Sequence, residues 1–453
     1  MLSRAWRLCL LLCLASPAGG WSSAAGLSAV PLDLKATDRI LVLAPHPDDE
    51  VLGCGGVLQR AVARGLPVEV AFLTYGDANT WSFLAYRLHP VLRPAAAKAM
   101  GEIRRKEALA ADAILGLPAD RLTFLGYPDA GTLDLWSFRW GESPPGHGPL
   151  TRARAVPYST AFRPGAAYKG EEVLADLESL FSRFRPTQVF VSHPADKHPD
   201  HQALYLFTQV ALWNLAGSVS PAVHPYLVHY ADWPVRGSHA LLPEIPPGSL
   251  GPSLPWQSLE LSAAEVEGKR RALAAHRSQW RSGERHLLPF VRATEITGDF
   301  PLLSLPRDGA EEPGIERLPL RRVGERLEVT FLLGRQLPPA THLALWVFSY
   351  RRGQPFARAP KLEIRIGSRS VEVRDQGRRV AAPEGIAERS PGRVTLSLPL
   401  GFLGNPERLL LSARGLDDRG LAVHLPWRIV ELVPFAAPTG SGPEGESARS
   451  PSR

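Results

Sequence analysis

Short, mostly apolar runs alternate with longer stretches of helical period through the first half of the chain. Arg39–Leu43, Val68–Thr74, Leu122–Phe124 and Gln188–Ser192 read as buried strands, each bounded by turn residues. Val51–Arg64, Ala95–Leu115, Glu171–Phe184 and Gln202–Leu215 read as helices. Strand and helix in strict alternation predict an α/β fold, a Rossmann-like parallel sheet with helices on both faces. In such a sheet, ligands bind beyond the carboxyl ends of the strands, where the strand order reverses. The period changes near Leu303. From there to Pro434, the runs Arg326–Leu333, His342–Tyr350, Lys361–Val373, Arg393–Leu398, Arg408–Ala413 and Trp427–Val433 alternate every second residue. That pattern predicts a C-terminal antiparallel β-sandwich.

Two stretches, 131–170 and 231–258, are rich in proline and glycine and weakly periodic. Loops of that length inside a compact domain are usually functional or disordered. They are expected to wall a substrate groove, with Trp136, Trp140, Tyr158, Phe162 and Tyr168 as surfaces for sugar stacking. Ordinary loop packing explains these rings equally well.

The ends of the chain have their own composition. Arg4 and Arg7, then Leu8 to Ala15, then Ser16-Pro17-Ala18, have the layout of an export signal over residues 1–25. The apolar part falls short of the roughly 20 residues that span a bilayer, and no later segment is apolar enough, so no stable membrane span is expected. Residues 437–453 are rich in Ser, Gly, Pro and Glu and read as a disordered tail. The domains expected between these ends are 38–295 and 303–434. Of the three cysteines, Cys9 and Cys13 lie in the leader, so Cys54 stands alone and no disulfide framework exists. Cys54, close to the acidic cluster, reads chiefly as a small buried residue where a helix packs on a strand, with zinc binding as the alternative. The net charge of +7 comes mostly from scattered arginines without interleaved aromatics, which argues against nucleic acid as a partner.

Chemistry is concentrated in two clusters. Ala44-Pro45-His46-Pro47-Asp48-Asp49-Glu50 follows the first strand, and His198-Pro199-Asp200-His201 follows the fourth. Adjacent carboxylates repel one another and seldom pack at a strand end without a cation. His46, Asp49 and His201 are two imidazoles and a carboxylate, a donor set that suits Zn2+ and leaves a fourth position for water. Asp48 is placed to act as general base. His198 is placed to stabilise an oxyanion or protonate a leaving amine, and Asp200 to hold it as the imidazolium, raising its pKa. Glu50 opens the following helix, where an acid suits the helix dipole, and is read as support.

These segments resemble the PIG-L/LmbE-like family of zinc-dependent de-N-acetylases. The resemblance spans roughly residues 38–295. It rests on the two clusters together with Gly53-Cys54-Gly55-Gly56, Leu73–Asp77, Arg104–Glu107, Ile114–Gly116, Leu125–Asp129 and Lys269 through His276–Gln279. It implies removal of N-acetyl groups from N-acetylglucosamine-type substrates. It also implies His46, Asp49 and His201 as zinc ligands, Asp48 as base and His198 as acid or electrophile. Pro45 stands where many members run directly from Ala to His.

Arg104 and Asp129 are carried over as substrate-binding residues. Arg104 reads equally well as a partner of Glu107, and Asp129 as a turn former. His193 and His229 are further candidates for the site; His276, Ser278 and Gln279 read chiefly as packing and capping. The sandwich lies outside the resemblance and is either a carbohydrate-binding module or a structural partner.

The sequence thus predicts an exported zinc hydrolase acting on an amino sugar, glycan or glycolipid. Two other readings stay open: a zinc amidase for another N-acyl or amino-acid conjugate, and a non-catalytic glycan-binding protein.

Overall fold

The computed structural model describes residues 29–80, 93–306 (apart from 232, 235–241 and 251–253) and 312–432 (apart from 316–317, 334–342 and 417–421). The expected leader and tail lie outside the described residues.

The first half is built on five parallel strands: β1 (Ile40–Ala44), β2 (Val68–Thr74), β3 (Leu122–Tyr127), β4 (Gln188–Ser192) and β5 (Ala222–Tyr226). Their order in the sheet is β3-β2-β1-β4-β5, so the direction of winding reverses between β1 and β4. Between them run α1 (Asp49–Ala63), α2 (Pro94–Ile114), α3 (Thr132–Phe138), α4 (Gly170–Phe184) and α5 (Pro199–Asn214). Helix α6 (Ala263–Ala275) follows, opened by a Ser262/Glu265 capping box, and α7 (Arg277–Leu287) comes next. Helices α1, α2 and α6 pack together as one group, and α3, α4 and α5 as another. Right-handed crossovers from a strand order that reverses produce this division into two layers. Every residue of β1 is buried, as a central strand covered on both faces requires.

The expected strands and helices of this half all form, with ends shifted by a few residues. The stretch 131–170 differs from expectation. It contains α3, and Trp136, Trp140, Tyr158 and Tyr168 are all buried, with Phe162 half-buried. They belong to the core because their rings stack on one another and on neighbouring strands. Tyr75 and Tyr158, for example, lie 3.7 Å apart and nearly parallel. Cys54 is fully buried in α1, as expected.

The second half holds two sheets. Five antiparallel strands run in the order Glu312–Ile315, Leu318–Val323, Arg326–Leu332, Arg393–Pro399, Ala387–Ser390. A seven-stranded sheet is antiparallel except at one edge, where Leu303–Leu305 runs parallel to Ala422–Leu432. Buried residues of both sheets, among them Leu327, Val329, Leu345 and Ile364, share one hydrophobic cluster. The run expected as one strand over Lys361–Val373 is instead a hairpin of Lys361–Ile366 and Val371–Asp375, closed by a turn at Gly367–Ser370. Among the described residues, no helix is long and apolar enough to cross a membrane.

Helix α1 approaches its neighbours closely because glycines replace side chains at its contacts. A Cβ on Gly53 would sit 2.2 Å from the Tyr226 ring, and one on Gly56 2.2 Å from Leu261. Tyr226 cannot swing aside freely, since its hydroxyl donates to the Leu43 carbonyl at 2.9 Å. Gly53→Val is therefore expected to destabilise the fold by about 1–3 kcal/mol or more. Denaturant unfolding checks this, and unchanged stability would show that α1 has room to shift.

Candidate active site

Both His/Asp clusters lie at the carboxyl ends of β1 and β4, the two strands that flank the reversal. His46, Asp48, Asp49, Asp200 and His201 are all buried, and His198 is half-buried. One oxygen, Asp49 Oδ2, stands 3.0 Å from His46 Nδ1 and 3.1 Å from His201 Nε2. Thus the three residues expected to share a metal meet at one point. Ligand atoms of His46, His198 and His201 also lie within 4.8 Å of one another, as do those of His46, Asp129, His198 and Asp200, and of Asp196, His201 and His229. His46, His198 and His201 each belong to two of these three sets, and Asp49 to none. Asp49 is the carboxylate whose single oxygen faces both the His46 and the His201 imidazole.

Backbone geometry aims the first cluster. Asp48 adopts φ 137°, ψ −26°, a conformation that side chains other than glycine rarely accept. Such a residue costs roughly 1–3 kcal/mol and persists only where its surroundings over-determine it. Here Asp48 N–H donates to Glu50 Oε2 at 2.9 Å, and the Asp48 carbonyl accepts from Val51 and Leu52 as α1 begins. Glu50 Oε1 in turn faces His276 Nε2 at 3.3 Å, with both side chains fully buried. Glu50 is therefore a support, as expected, and His276 is the residue that holds it.

Arg104 reaches in from α2. Its Nη2 pairs with Asp48 Oδ1 at 3.2 Å and donates to the Pro47 carbonyl at 2.8 Å, while Nη1 donates to the Gly76 carbonyl at 3.0 Å. Expected to contact substrate, Arg104 instead anchors the first motif, though it also borders the cavity. Glu107, its expected partner, binds the Ser278 amide and hydroxyl at 2.9 and 2.6 Å.

Asp200 also departs from expectation. Its carboxylate accepts from Ala130 N–H, Thr132 N–H and Thr132 Oγ1, and lies 3.1 Å from His46 Nε2. It is 4.0 Å from His198 Nδ1. Asp200 sits in the first turn of α5, where its backbone N–H, not its carboxylate, meets His198 Nδ1 at 3.3 Å. The expected imidazolium at His198 is not supported either. Burial, followed by the nearby His46 and His201, pushes its pKa down to about 4. With Nδ1 accepting the Asp200 amide, the neutral ring carries its hydrogen on Nε2.

Electrostatics separate the two aspartates of the first motif. Burial lifts Asp48 to about 6 against the pull of Arg104. Burial would also raise Asp49, but His201 and His46 outweigh it and hold it well below the usual range. His201 is lowered by burial yet raised to about 9 by Asp196 and Asp49. Asp196 escaped the sequence reading. Its Oδ2 lies 3.0 Å from His201 Nδ1, and it accepts from the amides of His198, Val228 and His229. A carboxylate behind a ligand imidazole fixes its orientation. The only signal was an aspartate five residues before His201, in what reads as a loop.

The cavity in front of the cluster has a volume of about 850 Å³. Asp129 lines it, accepting from Ala78 N–H at 2.6 Å and lying 3.3 Å from His46 Nε2, which is more than turn formation requires. His229 and Gln279 line it as well, together with Tyr230, Trp233 and Phe290. His193 does not; it is buried between Trp256 and Phe300.

The donor set fits a divalent metal. Both ring nitrogens of His201 face carboxylate oxygens at 3.0 and 3.1 Å, yet neither is aligned as a hydrogen bond. Cys54, buried within α1, belongs to none of these groups.

This geometry defines a class: α/β proteins with a metal-type His/Asp cluster at the switch point of a parallel sheet. Comparison narrows it. The family PIG-L, GlcNAc-PI de-N-acetylase, matches residues 41–212. A 1D-myo-inositol 2-acetamido-2-deoxy-alpha-D-glucopyranoside deacetylase of Actinosynnema mirum is 30% identical over 277 residues, covering 56% of this chain and 85% of that protein. A protein of the same description (deacetylase 1) from Saccharopolyspora erythraea is 34% identical over 189 residues, covering 40% of this chain and 55% of its own length. A 2'-N-acetylparomamine deacetylase of Streptomyces fradiae is 38% identical over 93 residues, 20% of this chain and 30% of that protein. The chain belongs to the PIG-L family of de-N-acetylases.

Metal must displace protons from the imidazoles, so affinity is expected to rise with pH, by up to about tenfold per unit for each proton released. The His201 proton contributes to the climb up to about 9, and His46, lowered by burial but held well above its ordinary value by Asp129 and Asp200, contributes in the same direction. Chelator competition with zinc at several pH values measures it. In the metal-free protein, the His201 pKa of about 9 stands above its ordinary 6.5. Its stabilising contribution is therefore complete below about pH 6.5 and is lost as pH rises through about 9.

Proposed function

We propose that the chain is an exported, zinc-dependent hydrolase that removes N-acetyl groups from an N-acetylglucosamine-type sugar, glycan or glycolipid. One observation carries the chemistry. Asp48 is a buried carboxylate beside the imidazole cluster, and its pKa of about 6 suits a base at neutral pH.

His46, Asp49 and His201 would hold zinc, which when bound supplies a Lewis acid and an activated water. Asp48 takes a proton from the attacking water, and Arg104 keeps its carboxylate aimed while Glu50 and His276 hold its backbone. His198 acts as a neutral donor through Nε2–H, stabilising the oxyanion that forms as the amide carbon becomes tetrahedral. The proton that leaves with the amine is the one Asp48 has gained. Asp129, beside the cluster and lining the cavity, is placed to bind a sugar hydroxyl. The products are acetate and the free amine.

Substrate size follows from the cavity. At about 850 Å³ it lies high within the range of roughly 300–1,000 Å³ for small-molecule sites. That favours a substrate with more than one ring, and Trp233, Tyr230 and Phe290 supply aromatic surface for it. We read residues 1–25 as the leader, 38–295 as the catalytic domain and 303–434 as a β-sandwich.

Purified mature protein is expected to release acetate from N-acetylglucosamine-containing monomers, oligomers or polymers and to lose that activity with a chelator. Asp48→Ala should lower kcat by about 10²–10⁴. Bound zinc without release from any of these substrates would shift the assignment to another acyl group. An Asp48→Ala variant as active as the parent would remove the base from the scheme.

A further inference from the structure

Helix α3 touches the site at one end and the C-terminal region at the other. Just before it and at its first residue, Ala130 N–H donates to Asp200 Oδ2 at 2.6 Å, and Thr132 donates to Asp200 Oδ1 through N–H at 3.0 Å and Oγ1 at 2.6 Å. Asp200 Oδ2 faces His46 Nε2 at 3.1 Å, and the other nitrogen of that ring faces Asp49.

One turn later stands Trp136, fully buried. Its ring packs on Phe348 at 5.6 Å, Phe356 at 5.2 Å and Trp427 at 6.4 Å, all from the C-terminal region, and on Phe207 of α5 at 5.1 Å. Trp140, just past the helix, packs on Phe356 at 5.0 Å and lies under Lys361 Nζ at 4.7 Å. The ammonium of Lys361 is itself buried and donates to the carbonyls of Phe356 and Ala359.

Helix α3 has seven residues and no side-chain N-cap bond. Isolated helices shorter than about 12–15 residues are marginal in water, so tertiary contacts decide where this one sits. Those contacts come from α5 on one side and the C-terminal region on the other.

We propose that the C-terminal β-rich region is a positioning element for the catalytic site. By clamping Trp136 it fixes the turn Ala130–Thr132; that turn holds Asp200, and Asp200 orients the His46 imidazole. The proposal rests on the reading of His46 as a metal ligand. It makes Thr132, Trp136 and Phe356 positioning residues, and it gives work in the chemistry to a region outside the family match, which ends at residue 212. Beside His46 Nε2, the fully buried Asp200 carboxylate has three hydrogen-bond donors, all from this one turn, so a shift of the turn leaves the charge poorly satisfied and loosens the imidazole.

The test uses the full mature chain with Thr132→Val, which removes one donor at nearly constant shape, and Phe356→Leu, which loosens the clamp. Val373→Ala is the control: it opens the C-terminal core without touching Trp136. Zinc affinity, measured by chelator competition on folded protein, is expected to fall about 10–100-fold in the first two variants and to stay at the parental value in the control. Deacetylation should lose kcat with KM unchanged in the same two. In zinc-free protein, the His46 ring N–H signal should move in Phe356→Leu and not in Val373→Ala. Parental affinity together with an unmoved His46 signal in folded Thr132→Val and Phe356→Leu would overturn the proposal. A parent that takes up no zinc would instead defeat the metal reading. The His46 signal would then still decide the positioning role.

Discussion

Five carboxylates (Asp48, Asp49, Asp129, Asp196 and Asp200) are buried in one place with the two imidazoles His46 and His201 and the guanidinium of Arg104. Removing that much like charge from water is tolerable only when each carboxylate faces a cation or several N–H donors. Every neighbouring element is arranged to meet that need. Asp200 takes the turn before α3, Asp196 takes the amides beyond β5, and Asp48 takes Arg104 from α2. Asp49 lies between the two imidazoles, where a metal ion would complete the neutralisation.

The same need explains the backbone strain at Asp48. A left-handed aspartate at the start of α1 is unfavourable by itself. It is held by Glu50 from within the motif, by His276 through Glu50, and by the guanidinium of Arg104. His276 stands at the junction of α6 and α7, and α6 packs on both α1 and α2. The end of the domain therefore closes back on the first motif, and a stretch that reads as packing is part of the support for Asp48.

A second line of support runs through the aromatic core. Trp136 belongs to a loop that reads as groove wall, yet its ring faces Phe207 and the C-terminal strands. The family match covers four of the five parallel strands and both His/Asp clusters but neither β5 nor those C-terminal strands. In this chain the two halves share one hydrophobic cluster, which contains Phe348, Phe356 and Trp427 alongside the core of the parallel sheet.

Much of this was legible in the order of residues. The parallel sheet followed from apolar runs alternating with helical stretches, because a strand covered on both faces must be apolar throughout. The two clusters were legible because ligands cluster at strand ends and the prolines beside them mark turns. Their convergence followed from the rule that sites form where strand order reverses. Asp196 was not legible, since an aspartate in a loop looks the same whether it faces solvent or an imidazole. The partners of Asp200 and Arg104 were not legible either. A side chain's direction depends on which polar groups lie within a few ångströms, and these come from residues up to 154 positions away. The elements, the donor types and the strand ends that carry them are properties of residue order. Which carboxylate serves which cation, and the packing of the C-terminal region against the helix beside the site, arise on folding. Hydrogen bonds act over about 3 Å, and only the folded chain brings such distant residues that close.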